Sequence, residues 1–260
     1  LLIIYFALGI TGAAIATLIS QCFGCAMLFW MSHKGQSIRI QLRNFTPTKA
    51  YAKEIIFGGT PSLSRQGLGS IATLVLNVAA GAYGDAAIAG MSIVTRISFF
   101  TYAVVIGLGQ GFQPLCGFCY GAKLYSRVKE AYYFCIKCGT VFLAVCAVIG
   151  FIFSEQIIEL FRDDPHVVAV GSVALKWQVI SFPLITTIVL TNMLMQTIRK
   201  PIRANIVAAA RSGLFFIPLI FILPHFFGLL GVEMCQAWAD VCSFLVAVPI
   251  AWSAFRDMSR

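Results

Sequence analysis

An all-α, polytopic transmembrane helical bundle of about seven spans is the fold this sequence predicts. Three observations predict it. Of 260 residues, 59% are hydrophobic and only 11% charged, whereas soluble domains carry about a quarter charged residues. The apolar residues gather in runs close to the ~20 needed to cross a ~30 Å hydrocarbon core. The charges between the runs alternate in sign. Basic groups occur at Lys34, Arg39, Arg43, Lys49 and Lys53, at Lys123, Arg127, Lys129 and Lys137, at Arg199, Lys200 and Arg203, and at Arg256 and Arg260. The intervening connections hold Asp85, then Glu155, Glu159, Asp163 and Asp164 (with Arg162), then Glu233. This is the positive-inside pattern. It accounts for a net charge of +9 without nucleic acid or any other acidic partner, and it puts the C-terminus on the cytoplasmic side.

The chain opens on Leu1 inside an apolar run with no Met and no basic leader, so it reads as a fragment with any targeting signal upstream. Leu1–Leu8 reads as the outer end of an earlier helix or its loop, broken at Gly9 and Gly12. Ala13–Met31 is the first full span, with Ala13, Ala14, Ala16 and Gly24 small enough for close helix packing. His33–Lys53 is polar and basic, a cytoplasmic linker and the seam between two halves. The second span, about Tyr51–Ala80, holds Gly58, Gly59, Thr60 and Pro61, then Arg65 and Gln66 near mid-depth. Asn77 follows eleven residues after Gln66, close to the same helical face.

After an outer turn at Gly81–Asp85, the third span, about Ala86–Cys116, carries Arg96 near its middle. Gln110 and Gln113 precede Pro114 where a lipid-facing helix would carry Leu or Ile. Pro114 removes a backbone donor, so the carbonyl it frees needs a neighbouring helix or water. The fourth span runs over about Val128–Phe153, and the acidic segment Ser154–His166 lies outside. The fifth, about Val167–Thr197, contains Pro183 and places Asn192 and Gln196 at i,i+4. Ile198–Arg203 is an inner turn. The sixth, about Ala204–Leu223, includes Arg211 and Pro218. Pro224–Gly231 turns outside. The seventh, about Val232–Ala254, sets Gln236, Asp240 and Ser243 on one stripe. Pro61, Pro114 and Pro183 are the candidate kinks.

Ionisable residues inside spans are the sharpest functional signal, because each costs several kcal/mol in lipid unless paired or wet. They are Arg65, Arg96, Arg211 and Asp240, with Lys176 nearer the outer end. Counting residues puts Asp240 about 10 Å below the outer surface. Arg65 and Arg96 then lie near the midplane and within reach of it, while Arg211 lies nearer the inner face and needs a long reach. Such a carboxylate is either a proton- or cation-sensitive group that exchanges partners, or one half of a static pair that locks the bundle, the more frequent case. The candidates for a substrate or ion pathway are therefore Arg65, Gln66, Asn77, Arg96, Gln110, Gln113, Asn192, Gln196 and Asp240. The four amides other than Gln66 and Asn77 serve equally well to line a cavity or to bond across helices.

No catalytic site is expected. His33, His166 and His225 fall in connections on differing sides, and the sequence has no HExxH, G-x-S-x-G or Walker loop. Cys116-x2-Cys119 and Cys135-x2-Cys138 have a zinc-ribbon spacing. Their Gly-Phe and Phe-Ile surroundings favour packing cysteines, and no metal or cofactor is expected. The last span lacks the lysine that a retinal Schiff base needs, and a chain that opens mid-run makes the number seven an accident of truncation, which ranks a retinal-type or receptor reading low.

The stretch Gly109-Gln110-Gly111-Phe112-Gln113-Pro114, followed by Gly117-Phe118 and Gly121-Ala122, resembles the multidrug and toxic compound extrusion (MATE) family of antiporters. Gly59–Pro61 with Arg65-Gln66, Ala86–Arg96, Ser181–Pro183 with Gln196, and Gly231–Asp240-Val241 strengthen the likeness, which covers nearly the whole chain. The resemblance implies the sixth through twelfth helices of a twelve-helix protein. Residues 1–31 would hold the last helix of the first lobe with its preceding loop, 32–53 the inter-lobe linker, and 54–260 the six-helix C-terminal lobe. It further implies a central cavity open alternately to each side. Cationic or amphipathic drugs would be exported across a bacterial plasma membrane against inward sodium or proton flow, with the missing N-terminal lobe and membrane lipid as partners. Proton-driven members place a coupling carboxylate on their first helix, outside this chain. Some sodium-coupled members place acids on the seventh and tenth helices, where this sequence has only Glu54, at a boundary. The alternative is a lipid-linked saccharide flippase of the same superfold, favoured if Arg65 and Arg96 feed a deep basic cavity, with a seven-helix scaffold or receptor more distant.

Overall fold

In a computed structural model, residues 9–34 and 48–258 are described; Leu1–Leu8, Arg39, Arg43 and Arg260, named above, lie outside them. The described chain is helical and divides into two compact units, 1–53 and 54–260. In the first, α1 (Gly9–Lys34) is a 26-residue apolar helix whose Lys34 ammonium sits 4.2 Å from the Trp30 ring centre, an aromatic and a basic anchor at one end of a span.

The second unit is built of long helices: α2 (Lys49–Gly81), of which the part from Glu54 on belongs to it, α3 (Asp85–Gly121), α4 (Tyr125–Ile152), α6 (Pro165–Thr197), a broken span of α7 (Pro201–Ala209) and α8 (Phe216–Phe227), and α9 (Leu229–Met258). A short helix, α5 (Ser154–Phe161), joins α4 to α6. Six stretches among the described residues are long and apolar enough to cross a membrane. α2 has the length, at 33 residues, but its Arg65, Gln66, serines and glycines dilute its hydropathy. Outward positions of α4 carry Phe134, Val141, Val145, Val148 and Ile152. A contiguous apolar face of this kind is untenable in water and natural in lipid.

Helix α6 is the axis of the unit. It packs against α3, α4, α5, α7 and α9, and most of its residues between Leu175 and Met195 are buried. Its start is set locally: Asp164 accepts a hydrogen bond from the His166 amide at 3.0 Å, and Pro165 stands in the first turn, where its missing N–H costs nothing. Small residues bring the neighbours close. Gly90 of α3 lies against the Gly171 backbone, and Gly139 of α4 against Thr186. Dispersion between tightly packed helices replaces the hydrophobic drive that lipid does not supply. The buried Tyr132 hydroxyl pairs with Thr191 Oγ1 at 2.8 Å.

The connections at the basic ends are tight. α3 and α6 are both followed by a left-handed basic residue, Lys123 (φ 60°) and Arg199 (φ 56°). The next amides, of Leu124 and Lys200, bond back to the Cys119 and Met195 carbonyls, a Schellman closure that satisfies carbonyls at the helix end. Asp257 then accepts from Lys200 at 2.5 Å and Arg203 at 3.1 Å, tying the α6–α7 turn to the end of α9.

Four sequence expectations change. The acidic segment after α4 is not a bare connection: α5 buries Ile158 and carries Glu155 in its first turn, bonded to Lys176 at 3.5 Å. The linker expected to reach residue 53 ends earlier, because α2 begins at Lys49. The third span does not end at Cys116; α3 runs on to Gly121. Glu233, expected in an outer connection, is buried inside α9. Pro61, Pro114 and Pro183, the candidate kinks, lie within α2, α3 and α6. Helical i→i−4 bonding is interrupted at residues 210–214.

Candidate functional site

That interruption builds the site. Pro218 stands in the first turn of α8 and has no N–H to offer the Leu214 carbonyl one turn back. The chain takes up the mismatch as a π turn over Ala210–Leu214, closed by the Phe215 amide bonding to the Ala210 carbonyl at 3.1 Å. Such bulges often accompany functional sites. This one carries Arg211.

Arg211 Nε donates to Asp240 Oδ1 at 2.7 Å, and Gln236, one turn before Asp240 on α9, donates to the same oxygen at 3.1 Å. From α6, Gln178 Nε2 and Ser181 Oγ reach Asp240 Oδ2 at 3.2 and 3.0 Å. Ser181 has one hydroxyl proton, and the Gln178 carbonyl lies 2.8 Å from the same oxygen. Asp240 has no exposed surface. A carboxylate surrounded by four donors, one of them a cation, meets the condition under which a charge persists in a low-dielectric interior. Arg211 also lies over the Tyr102 ring of α3, 4.7 Å from its centre, which adds a cation–π contact.

Beside this network lies a cavity of about 300 Å³ between α2, α3, α6, the π turn and α9, with Arg65, Gln66, Ser98, Tyr102, Gln178 and Gln236 on its wall. A smaller void of about 20 Å³ touches Arg65, Arg211 and Asn192, room for roughly one water.

Several sequence candidates converge here and others do not. Arg65, Gln66 and Asp240 belong to the cavity or the network behind it. The expected partner of Asp240 is corrected: it pairs with Arg211 and not with Arg65 or Arg96, because the π turn and a long side chain supply the reach. Arg96 and Asn77 are exposed and off the cavity wall. Gln110 is exposed and Gln113 half-buried; neither lines the cavity. Asn192 bonds across helices, donating to the Ala204 carbonyl at 2.7 Å and accepting from Gln196 at 2.7 Å. Ser243 turns back on its own helix, donating to the Ala239 carbonyl. Gln178, Ser181 and Tyr102 join the site without being sequence candidates. A Gln and a Ser three residues apart in an apolar span are the signal that points to the first two. Cys116, Cys119 and Cys135 pack in an apolar cluster with Phe112, Val128 and Tyr132, while Cys138 is exposed. Among the described residues no group of three or more His, Cys, Asp or Glu is placed to hold a metal ion.

Fold and site together define an integral, multi-pass membrane protein whose helices line an open cavity of mixed polar and apolar wall, backed by a buried ion pair. Residues 61–222 match the MatE family model. The multidrug export protein MepA of Staphylococcus haemolyticus is 30% identical over 92% of this chain and 53% of its own length, and that of Staphylococcus saprophyticus 31% identical over 97% and 56%. A variant of the MATE transporter VcmN from Vibrio cholerae superposes with a TM-score of 0.87 at 21% identity, over 98% of this chain and 58% of that one. A MOP superfamily transporter from Pyrococcus furiosus gives 0.89 at 22%, over 100% and 59%. The chain belongs to the MATE family, whose members are membrane transporters and not enzymes. It spans just over half the length of the curated relatives it matches.

Proposed function

We propose that the full-length protein is a multidrug efflux transporter that exports amphipathic organic compounds in exchange for protons or sodium. Residues 54–260 form its second lobe, residues 1–31 carry the last helix of the first, and 32–53 link them, with the C-terminus on the cytoplasmic face of a bacterial plasma membrane. The observation that carries this reading is the Asp240 network: a fully buried carboxylate, bonded from α6, α9 and the π turn, directly behind a polar cavity. An exchanger needs two arrangements whose preference shifts when the coupling ion or the substrate binds. A proton or sodium ion arriving at Asp240 competes with Arg211 for the same oxygen, and a released Arg211 changes the wall that the substrate meets. The names of the MepA relatives support drugs as the cargo.

The test is ethidium efflux from cells carrying the full-length gene, compared at equal membrane abundance with Asp240→Asn. The reading expects wild-type efflux to fall by about tenfold or more, a loss of about 1.4 kcal/mol or more of coupling. Unchanged efflux reduces Asp240 to a structural group. The two arginines of the wall favour a second reading, a flippase for an anionic lipid-linked saccharide, for which the full-length gene would leave ethidium accumulation unaltered.

A further inference from the structure

The charges facing the cavity are of one sign. Among the described residues, its charged lining residues are Arg65 and Arg211, with no Asp or Glu on the wall. Asp240 answers Arg211 from behind. Arg65 forms no ion pair with any described residue, although an unpaired guanidinium at this depth requires water or an anion beside it. Two features that would hold an organic cation are already engaged. The Tyr102 face carries Arg211, and the Asp240 carboxylate is bonded by Arg211, Gln236 and Gln178, with the Ser181 hydroxyl beside it. The wall also presents a buried hydroxyl, Ser98 Oγ, that has no hydrogen-bond partner. Leu76, Met91, Phe99 and Ile106 supply an apolar side.

From this arrangement we infer that the cavity is an anion-binding site for amphiphiles: it takes a carboxylate or phosphate group on Arg65, with Ser98 donating a hydrogen bond and the apolar side holding the hydrocarbon body. The inference rests on the export reading and adds an anion site in this lobe, separate from the place where the exported cation ethidium binds. Arg65 supplies the charge and the planar fork that carboxylates and phosphates match. Arg211 contributes field without leaving Asp240. The anionic group belongs either to a soluble organic acid or to a lipid headgroup, which present the same chemistry to the site.

The experiment is fluorescence anisotropy of carboxyfluorescein with the purified full-length protein in detergent, for wild type, Arg65→Gln and Arg65→Lys. Saturable binding is expected, weakened about tenfold or more by Arg65→Gln and about threefold or less by Arg65→Lys, as loss or retention of one charge-assisted contact implies. Displacement by phosphatidic acid identifies a lipid headgroup as the natural occupant; displacement by cholate without phosphatidic acid identifies a soluble acid. Absence of saturable binding, displacement by ethidium, or wild-type affinity in Arg65→Gln overturns the inference. If Arg65→Gln does not purify as a monodisperse protein, Ser98→Ala decides, with about threefold weaker binding expected for one lost neutral hydrogen bond and unchanged binding overturning the site. Export is read separately from ethidium efflux in cells. Efflux by a protein that does not bind carboxyfluorescein defeats the anion site alone. Arg65-dependent binding in a protein that exports nothing defeats the export reading alone.

Discussion

Replacing Arg211 with alanine destabilises the full-length protein by about 3–5 kcal/mol, because it strands a fully buried carboxylate whose remaining partners are neutral. Asp240 has no exposed surface from which water could replace the guanidinium. Gln178 and Gln236 still donate to it, and the Ser181 hydroxyl lies beside it, yet none brings a charge. The combined change Arg211→Gln with Asp240→Asn removes both charges and leaves amides able to bond to one another. Thermal unfolding of the double variant is expected to return most of the way to wild type, since neutral replacements of buried pairs are often tolerated. The measurement is melting temperature by size-exclusion fluorescence for the two single variants and the double. Additive losses would show that the two side chains do not act as a pair.

The second large effect is at the hairpin between α8 and α9. Gly228 turns the chain with φ 59° and ψ −135°, a region that glycine alone enters readily. Three residues later, Gly231 packs α9 against the Leu223–Pro224 backbone so closely that a Cβ there would overlap the Leu223 carbonyl. Backbone cannot rotate out of the way as a side chain can. This hairpin sets the register between α8, which continues from the Arg211 turn, and α9, which carries Asp240. Gly231→Val is therefore expected to cost more than about 3 kcal/mol, above the usual overpacking range, and to lower the yield of folded full-length protein several-fold. The check is the monodisperse fraction after membrane extraction. A wild-type yield and melting temperature would contradict the close approach.

Much of this architecture is legible in the sequence because lipid imposes strict rules. Runs of apolar residues between Lys/Arg clusters place α3, α4, α6 and α9 to within a few residues, since every backbone group in a span must bond within its helix. The helix α5 is harder to read, because its acids resemble a loop. Its Glu155 near the start, with Ile157, Ile158 and Phe161 spaced on one face, is the signal of a short amphipathic helix. The site is only half legible. Asp240 and Arg65 stand out as charges in spans. The partner of Asp240 does not, because counting 1.5 Å per residue assumes straight helices and ignores where side chains extend. The π turn ahead of Pro218 breaks the first assumption, and the reach of arginine breaks the second. The contributions of Gln178 and Ser181 depend on α6 and α9 running in parallel register, with Gln178 opposite Asp240 and Lys200 opposite Asp257. No local pattern encodes that register.

The most direct test of a wet interior is chemical access to the cavity wall. Ser70 lies exposed on that wall, whereas Cys116 is wholly buried in an apolar cluster and serves as an internal reference. In the full-length protein carrying Ser70→Cys, iodoacetamide treatment followed by peptide mass spectrometry is expected to modify position 70 about tenfold faster than Cys116, as free access of water to the thiol requires. A thiol at position 70 as unreactive as that of Cys116 would mean that the cavity is dry, and would contradict a transport path through it.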